Sequence, residues 1–126
     1  MMAASVKRIL IADDEEDLRL LVQVTLENPS YQILTAVDGC SAVEAISSHI
    51  PDLLILDWMM PGLSGCEVVK MLRQNPDTAR IPVVMLTAKD GIESREQMAS
   101  LDLAGYLVKP FSPLELIQKV REVLAS

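Results

Sequence analysis

Five short apolar runs constrain this chain more than any other feature. Val6-Lys7-Arg8-Ile9-Leu10-Ile11-Ala12, Tyr31 to Val37, Leu53 to Asp57, Ile81 to Thr87 and Gly105 to Val108 are near-continuous in hydrophobicity rather than alternating. A sheet with one wet face would alternate apolar and polar residues along each strand. A continuous run belongs to a strand buried on both faces, as in a parallel sheet covered by helices. Helical patterns fill the gaps between the runs. The chain therefore reads as five strands alternating with five helices, a doubly wound parallel α/β sandwich.

The helices announce themselves by their starts and stops. Acids from Asp13 to Asp17 open the first, which carries Leu18, Leu21, Val22 and Thr25 on one face. Asn28-Pro29 stops it. Asp38-Gly39 turns into a second helix with Ala42, Val43 and Ile46 inward, broken by Pro51. Ser64-Gly65-Cys66-Glu67 has the capping-box pattern and starts a third with Val68, Val69 and Leu72 inward. Gly91 to about Leu101 reads as a polar, weakly amphipathic fourth helix. Ser112-Pro113-Leu114-Glu115 is a second capping box with proline at the first helical position, and Leu116, Ile117, Val120 and Leu124 line the last helix. No repeat, linker or low-complexity stretch interrupts the pattern, so residues 1–126 read as one domain.

Composition removes several classes of function. The net charge of −7 argues against a nucleic-acid-binding surface, which needs clustered Lys and Arg. Cys40 and Cys66 form neither a CxxC nor a metal-ligand spacing, which fits a reducing cytoplasm. No apolar run reaches membrane-spanning length, and the first one ends in acids, unlike a signal peptide. No GxGxxG follows the first strand; acids stand where a dinucleotide phosphate would need glycines.

In doubly wound sheets the site lies beyond the carboxyl ends of the strands. Strand one ends in Asp13-Asp14, strand three in Asp57, strand four in Thr87-Ala88 and strand five in Lys109-Pro110. Three carboxylates, a hydroxyl and an ammonium would thus converge on one edge. Clustered carboxylates repel one another unless a proton or a cation intervenes. Oxygen-only ligands suit Mg²⁺, which keeps several waters and accepts phosphoryl oxygens. Asp57 is then a candidate nucleophile, because carboxylates form aspartyl phosphates and phosphoryl transfer depends mainly on positioning and charge neutralisation.

Taken in order, Asp13-Asp14, Asp57 with Pro61 and Gly65, Thr87-Ala88 and Lys109-Pro110-Phe111 resemble the receiver domain of bacterial two-component response regulators, the CheY-like family. The resemblance covers Val6 to Leu124 and implies a flavodoxin-like strand order 2-1-3-4-5. It implies that Asp57 accepts a phosphoryl group from a histidine kinase or a histidine phosphotransfer protein. Asp14, Asp57 and the main-chain carbonyl of Met59 would hold Mg²⁺ (or Mn²⁺), with Asp13 acting through water. Thr87, the Ala88 main chain and Lys109 would grip the phosphoryl oxygens, and the Lys109–Pro110 peptide would be cis. Thr87 and Tyr106 would act as the switch, changing the surface of the fourth helix, fifth strand and last helix. The chain would catalyse only its own phosphorylation and dephosphorylation, in the cytoplasm, with no membrane or direct nucleic-acid contact.

The stretches "DWMMPGLSG", "IPVVMLTAK" and "KPFSPLELI" are most similar to receivers of winged-helix transcription factors. Such receivers form phosphorylation-dependent homodimers through charged pairs on that surface. Arg95 and Glu115 match one pair, and Lys119 and Arg121 match two basic partners. Ala104 and Gly105 stand where the family has acids, with Asp102 two residues away. Whether the chain stands alone or belongs to a longer regulator is open at this point, as is its downstream output protein or domain.

Other readings compete. A haloacid-dehalogenase-type phosphatase would place a second aspartate two residues after the nucleophile, where this chain has Met59. A pseudo-receiver would bind proteins without ever taking phosphate. Glu15, Glu16 and Asp17 read as solvated acids, and His49 as a surface residue at a helix end. Met59, Met60, Met71, Met85 and Met98 read mostly as packing. Trp58 is expected to be partly exposed beside the site, reporting metal or phosphate by its fluorescence. Met59 and Lys89 occupy positions that tune phosphate loss in the family, and a methionine cannot orient an attacking water by hydrogen bonding.

Overall fold

The computed structural model describes residues 6–88 and 99–125. Five strands form one sheet: β1 (Lys7–Ala12), β2 (Tyr31–Ala36), β3 (Leu53–Asp57), β4 (Val83–Ala88) and β5 (Gly105–Lys109). Every pairing is parallel and the spatial order is β2-β1-β3-β4-β5. This is the CheY-like order that the motifs implied. Four helices lie among the described residues: α1 (Glu16–Thr25), α2 (Gly39–Ser48), α3 (Gly65–Gln74) and α4 (Pro113–Ala125). The helix expected from Gly91 to about Leu101, with Arg95 and Met98, lies outside the described residues apart from its end, as does Lys89.

Continuous apolar strands produce two cores, one on each side of the sheet. Leu10, Leu54, Leu56 and Met85 point to the side packed by Ala42, Ile46, Val68, Val69 and Leu72 of α2 and α3. Ile9, Ile11, Ile55, Val84 and Leu86 point to the side packed by Val22, Leu116 and Val120 of α1 and α4. Successive strand residues face opposite sides, so each run must be apolar throughout. β3 is buried at all five positions, including Asp57.

Both predicted capping boxes are present. Glu67 N–H donates to Ser64 Oγ at 3.2 Å, and Ser64 N–H to Glu67 Oε1 at 3.1 Å. Glu115 N–H donates to Ser112 Oγ at 3.1 Å, and Ser112 N–H to Glu115 Oε1 at 3.1 Å. A third box caps α2, where Asp38 accepts from Ser41 N–H at 2.7 Å. Its serine at the third helical position, rather than Glu or Gln, kept it hidden in the sequence.

Several boundaries and faces differ from expectation. Val6 and Val37 are exposed and lie outside the strands, while β4 starts two residues late because Ile81-Pro82 lacks a donor at Pro82. α1 begins at Glu16, after the acid pair rather than within it. Leu21 is exposed, and Leu26 takes the inward place at the C-cap. Met71 is exposed rather than packed, since α3 turns it away from Val68 and Leu72.

At the amino-terminal edge of the sheet, opposite the site, Arg73 of α3 joins segments distant in sequence. Its guanidinium donates to the carbonyls of Ala79 at 2.9 Å, Ile81 at 2.8 Å, Leu101 at 3.3 Å and Asp102 at 3.0 Å. Asp102, the residue considered as a substitute acid, has a left-handed backbone with φ of 54°.

Candidate functional site

β1 and β3 are neighbours, with Ala12 beside Leu56, so their next residues bring Asp13 and Asp57 together at the carboxyl edge. Asp14 joins them: one carboxylate oxygen from each of Asp13, Asp14 and Asp57 lies within 4.8 Å of the others. Asp13 is fully buried, Asp57 nearly so, and Asp14 exposed. Lys109 reaches in from the end of β5. Its Nζ lies 3.0 Å from Asp13 Oδ2, 3.4 Å from Asp57 Oδ1 and 3.4 Å from Glu15 Oε1.

Asp13 is held at every polar atom. Its N–H donates to Ala36 O at 3.2 Å, and its carbonyl accepts from Arg19 Nη1 at 2.9 Å. Oδ1 accepts from Glu15 N–H at 2.9 Å and Oδ2 from Lys109. Asp57 Oδ1 accepts from Met59 N–H at 3.4 Å. The turn after β3 is anchored by Trp58 N–H to Leu86 O at 2.9 Å and Gly65 N–H to Trp58 O at 3.0 Å. Gly62 sits in that turn with φ of 75°, a conformation that suits glycine. A β-carbon at Gly65 would collide with the Asp57 carbonyl oxygen and come within 3.1 Å of Trp58 Cα, so the turn can close only over glycine.

The electrostatics follow from this packing. Burial, reinforced by the Asp13 charge, pushes the Asp57 carboxyl up to about 6 despite the opposing Lys109 charge. Burial alone would lower the Lys109 pKa. The Asp13 hydrogen bond and the charges of Asp57, Asp13 and Glu15 outweigh it and raise the ammonium above the ordinary lysine value. Lys109 therefore stays charged, against an excess of negative charge. That excess, with an oxygen-only donor set at the end of a rigid sheet, fits a hard divalent cation such as Mg²⁺.

The other expected residues, apart from Tyr106, fall on the same edge. Thr87 is buried near the end of β4, one residue past Leu86, the partner of Asp57. Ala88 is exposed and pairs with Lys109. Lys109–Pro110 is cis. Tyr106 is 44% exposed on β5, three residues from the site lysine. Trp58 is half-buried, packed beside the α2–α3 core, and Met59 stands 71% exposed next to Asp57. Of the surface pairs, Lys119 lies 3.5 Å from Glu122 and runs over Gly105. The contacts of two residues escaped sequence reasoning. Glu15 is tied to Asp13 and Lys109 rather than merely solvated, and Arg19 reaches the Asp13 carbonyl. Arg19 could have been suspected from its place one helical turn after Glu15, on the side facing the acid pair.

Residues 9–121 match the response regulator receiver domain family, and the chain belongs to it. It is thus a receiver domain of the two-component type. Among its relatives is the phosphate regulon transcriptional regulatory protein PhoB of Rhizobium meliloti (strain 1021), 40% identical over 117 residues, covering 93% of this chain and 52% of PhoB. The alkaline phosphatase synthesis transcriptional regulatory protein PhoP of Bacillus subtilis (strain 168) is 42% identical over 120 residues, covering 94% of this chain and 48% of PhoP. The chain spans about half the length of these relatives. The solved chemotaxis response regulator CheY4 of Vibrio cholerae superposes with a TM-score of 0.87 at 31% identity, covering 94% of this chain and 99% of that one. No helix among the described residues is long and apolar enough to cross a membrane.

Proposed function

We propose that the chain works as a single receiver domain that takes a phosphoryl group on Asp57 from the phosphohistidine of a kinase or phosphotransfer protein. The observation that carries this reading is the convergence of the Asp13, Asp14 and Asp57 carboxylates within 4.8 Å, with Lys109 3.4 Å from Asp57. Asp57 attacks phosphorus through a carboxylate oxygen. The P–N bond breaks, its electron pair stays on the imidazole, and an acyl phosphate forms.

Asp14, Asp57 and the Met59 carbonyl would hold Mg²⁺, with Asp13 acting through a bound water. When bound, the cation supplies charge neutralisation and orientation for the phosphoryl oxygens. Lys109 supplies a further positive charge, and the Thr87 hydroxyl and Ala88 N–H supply hydrogen-bond donors to the same oxygens. The acyl phosphate carries close to two negative charges at neutral pH where the carboxylate carried one, and spreads them over three further oxygens. Thr87 then draws toward it and Tyr106 turns inward from its exposed position, altering the surface formed by β5, α4 and the segment between β4 and β5. A complete shift between the two packings requires a differential of about 5.5 kcal/mol. By analogy with relatives named as transcriptional regulatory proteins, that surface addresses a transcription-controlling output in the cytoplasm, with phosphorylation-dependent homodimers as one route.

Intact-mass measurement after incubation with acetyl phosphate tests the reading. Wild type gains one phosphoryl group only with Mg²⁺, and Asp57→Asn gains none. A folded wild type that binds Mg²⁺ but takes no phosphate from acetyl phosphate or from any histidine donor would instead be a protein-interaction module.

A further inference from the structure

Asp14 has to present its carboxylate toward Asp57 from an exposed position, with no side-chain hydrogen bond or ion pair to another described residue to hold it. Its direction is set by the peptide that joins it to Asp13. The strand ladder fixes one side of Asp13 through Ala36, and the carbonyl that belongs to the Asp13–Asp14 peptide is fixed by Arg19 Nη1 at 2.9 Å. That carbonyl is a group that main-chain pairing leaves to a side chain.

We infer that Arg19 is a positioning residue for the cation site: by holding the Asp13 carbonyl from the second turn of α1, it orients the Asp13–Asp14 peptide and with it the Asp14 carboxylate. The inference rests on the proposed Mg²⁺ site and adds to it a residue that touches neither metal nor phosphate. Two physical effects of Arg19 oppose each other. Its positive charge near the acid cluster weakens cation binding, whereas its hydrogen bond strengthens binding by preorganising a ligand. Partial solvent exposure screens the charge, while the hydrogen bond acts directly on the peptide to which Asp14 belongs, so positioning prevails. A lysine would keep the charge but would replace a planar, forked donor with a mobile single point.

The test is a titration of the metal-free protein with MgCl₂ at constant ionic strength, followed by amide chemical shifts at Asp13, Asp14 and Asp57. Arg19→Met keeps the aliphatic stem and removes donor and charge; Arg19→Lys keeps the charge. The expected result is a rise in the Mg²⁺ dissociation constant of about 10-fold for Arg19→Met, the scale of outer-sphere partners of metal ligands, and a smaller rise for Arg19→Lys. An unchanged or lower dissociation constant in Arg19→Met overturns the inference, because charge repulsion would then dominate or the bond would be idle. If Arg19→Met does not fold, Arg19→Lys and Arg19→Gln carry the same comparison. Failure of the underlying reading looks different. Wild type itself would show no saturable shifts at the three aspartates, and this inference would fall with it.

Discussion

Lys109 lies nearer to Asp13 than to Asp57, at 3.0 Å against 3.4 Å. The ammonium is shared among Asp13, Asp57 and Glu15 instead of being committed to Asp57. Lys109→Met removes the positive charge that the phosphoryl oxygens would meet. Phosphorylation by acetyl phosphate at saturating Mg²⁺ is expected to slow by about 10²-fold or more, the usual effect of losing one preorganised electrostatic contact. Mg²⁺ should bind more tightly to the variant, because the same change deletes a competing cation. Stopped reactions read by mass, with a parallel metal titration, separate the two effects.

Asp57 titrates near 6 in the folded protein, against an ordinary value of 3.8. The folded state therefore holds this proton more tightly than the unfolded state does. Below about pH 3.8 the group is protonated in both states and carries no penalty. Between about 3.8 and 6 its contribution to stability falls as pH rises, and above 6 the full penalty remains. Asp57→Asn should consequently stabilise the metal-free protein at pH 7.5 by about 2 kcal/mol, after allowance for partial solvent screening. Urea unfolding of both proteins in EDTA at pH 4 and pH 7.5 checks this, with the gap expected to narrow at the lower pH.

Mg²⁺ binding competes with the same proton. The dissociation constant should rise as pH falls through about 6, since the protonated Asp57 is a poor ligand. A metal titration that is flat from pH 7.5 to pH 5 would mean that Asp57 is not a ligand. The same series tests Trp58 as a reporter, because its emission should follow the metal occupancy measured independently.

Met59 stands exposed beside Asp57 and offers its side chain no polar atom with which to orient water. Met59→Asn places an amide where it can hold an attacking water by hydrogen bonding. The phosphorylated variant should lose its phosphate several-fold faster than wild type in a chase without donor. An equal rate would show that water is positioned from elsewhere.

Gly65 tests the turn that aims Asp57. A methyl group there meets the Asp57 carbonyl oxygen and lies 3.1 Å from both Met85 Sδ and Trp58 Cα, so the backbone must shift. Gly65→Ala should lower unfolding stability by about 1–3 kcal/mol, the cost of overpacking, although alanine is the better helix former. It should also lower phosphorylation by more than the folded fraction explains.

Much of this arrangement is legible in the sequence. Apolar runs buried on both faces gave the sheet, because each strand residue meets a helix on one side or the other. The strand ends then carried Asp13, Asp14, Asp57, Thr87 and Lys109 to one edge. Capping at Ser64 and Ser112 was visible because Glu follows at the required spacing. Leu21 and Met71 were misplaced because a three-to-four-residue period leaves the limits of an apolar stripe ambiguous by one position. Glu15 and Arg19 were missed for a different reason. Glu15 turns its own N–H to the Asp13 carboxylate and its side chain to a lysine 94 residues away, and Arg19 reaches a backbone carbonyl; the period of an apolar stripe records none of these, and only the place of Arg19 one turn after Glu15 hinted at its contact.

Arg73 gives the molecule two unlike ends. All four of its acceptors are neutral carbonyls. The opposite edge is held by a cluster of ionised acids around one ammonium. Acid or added cation therefore acts on the carboxylate cluster at one edge, while the Arg73 acceptors at the other offer neither a proton nor a cation a carboxylate to bind. Such a domain resembles a lever clamped at its heel: chemistry at the tip can be revised, by ligand or by selection, without loosening the mount.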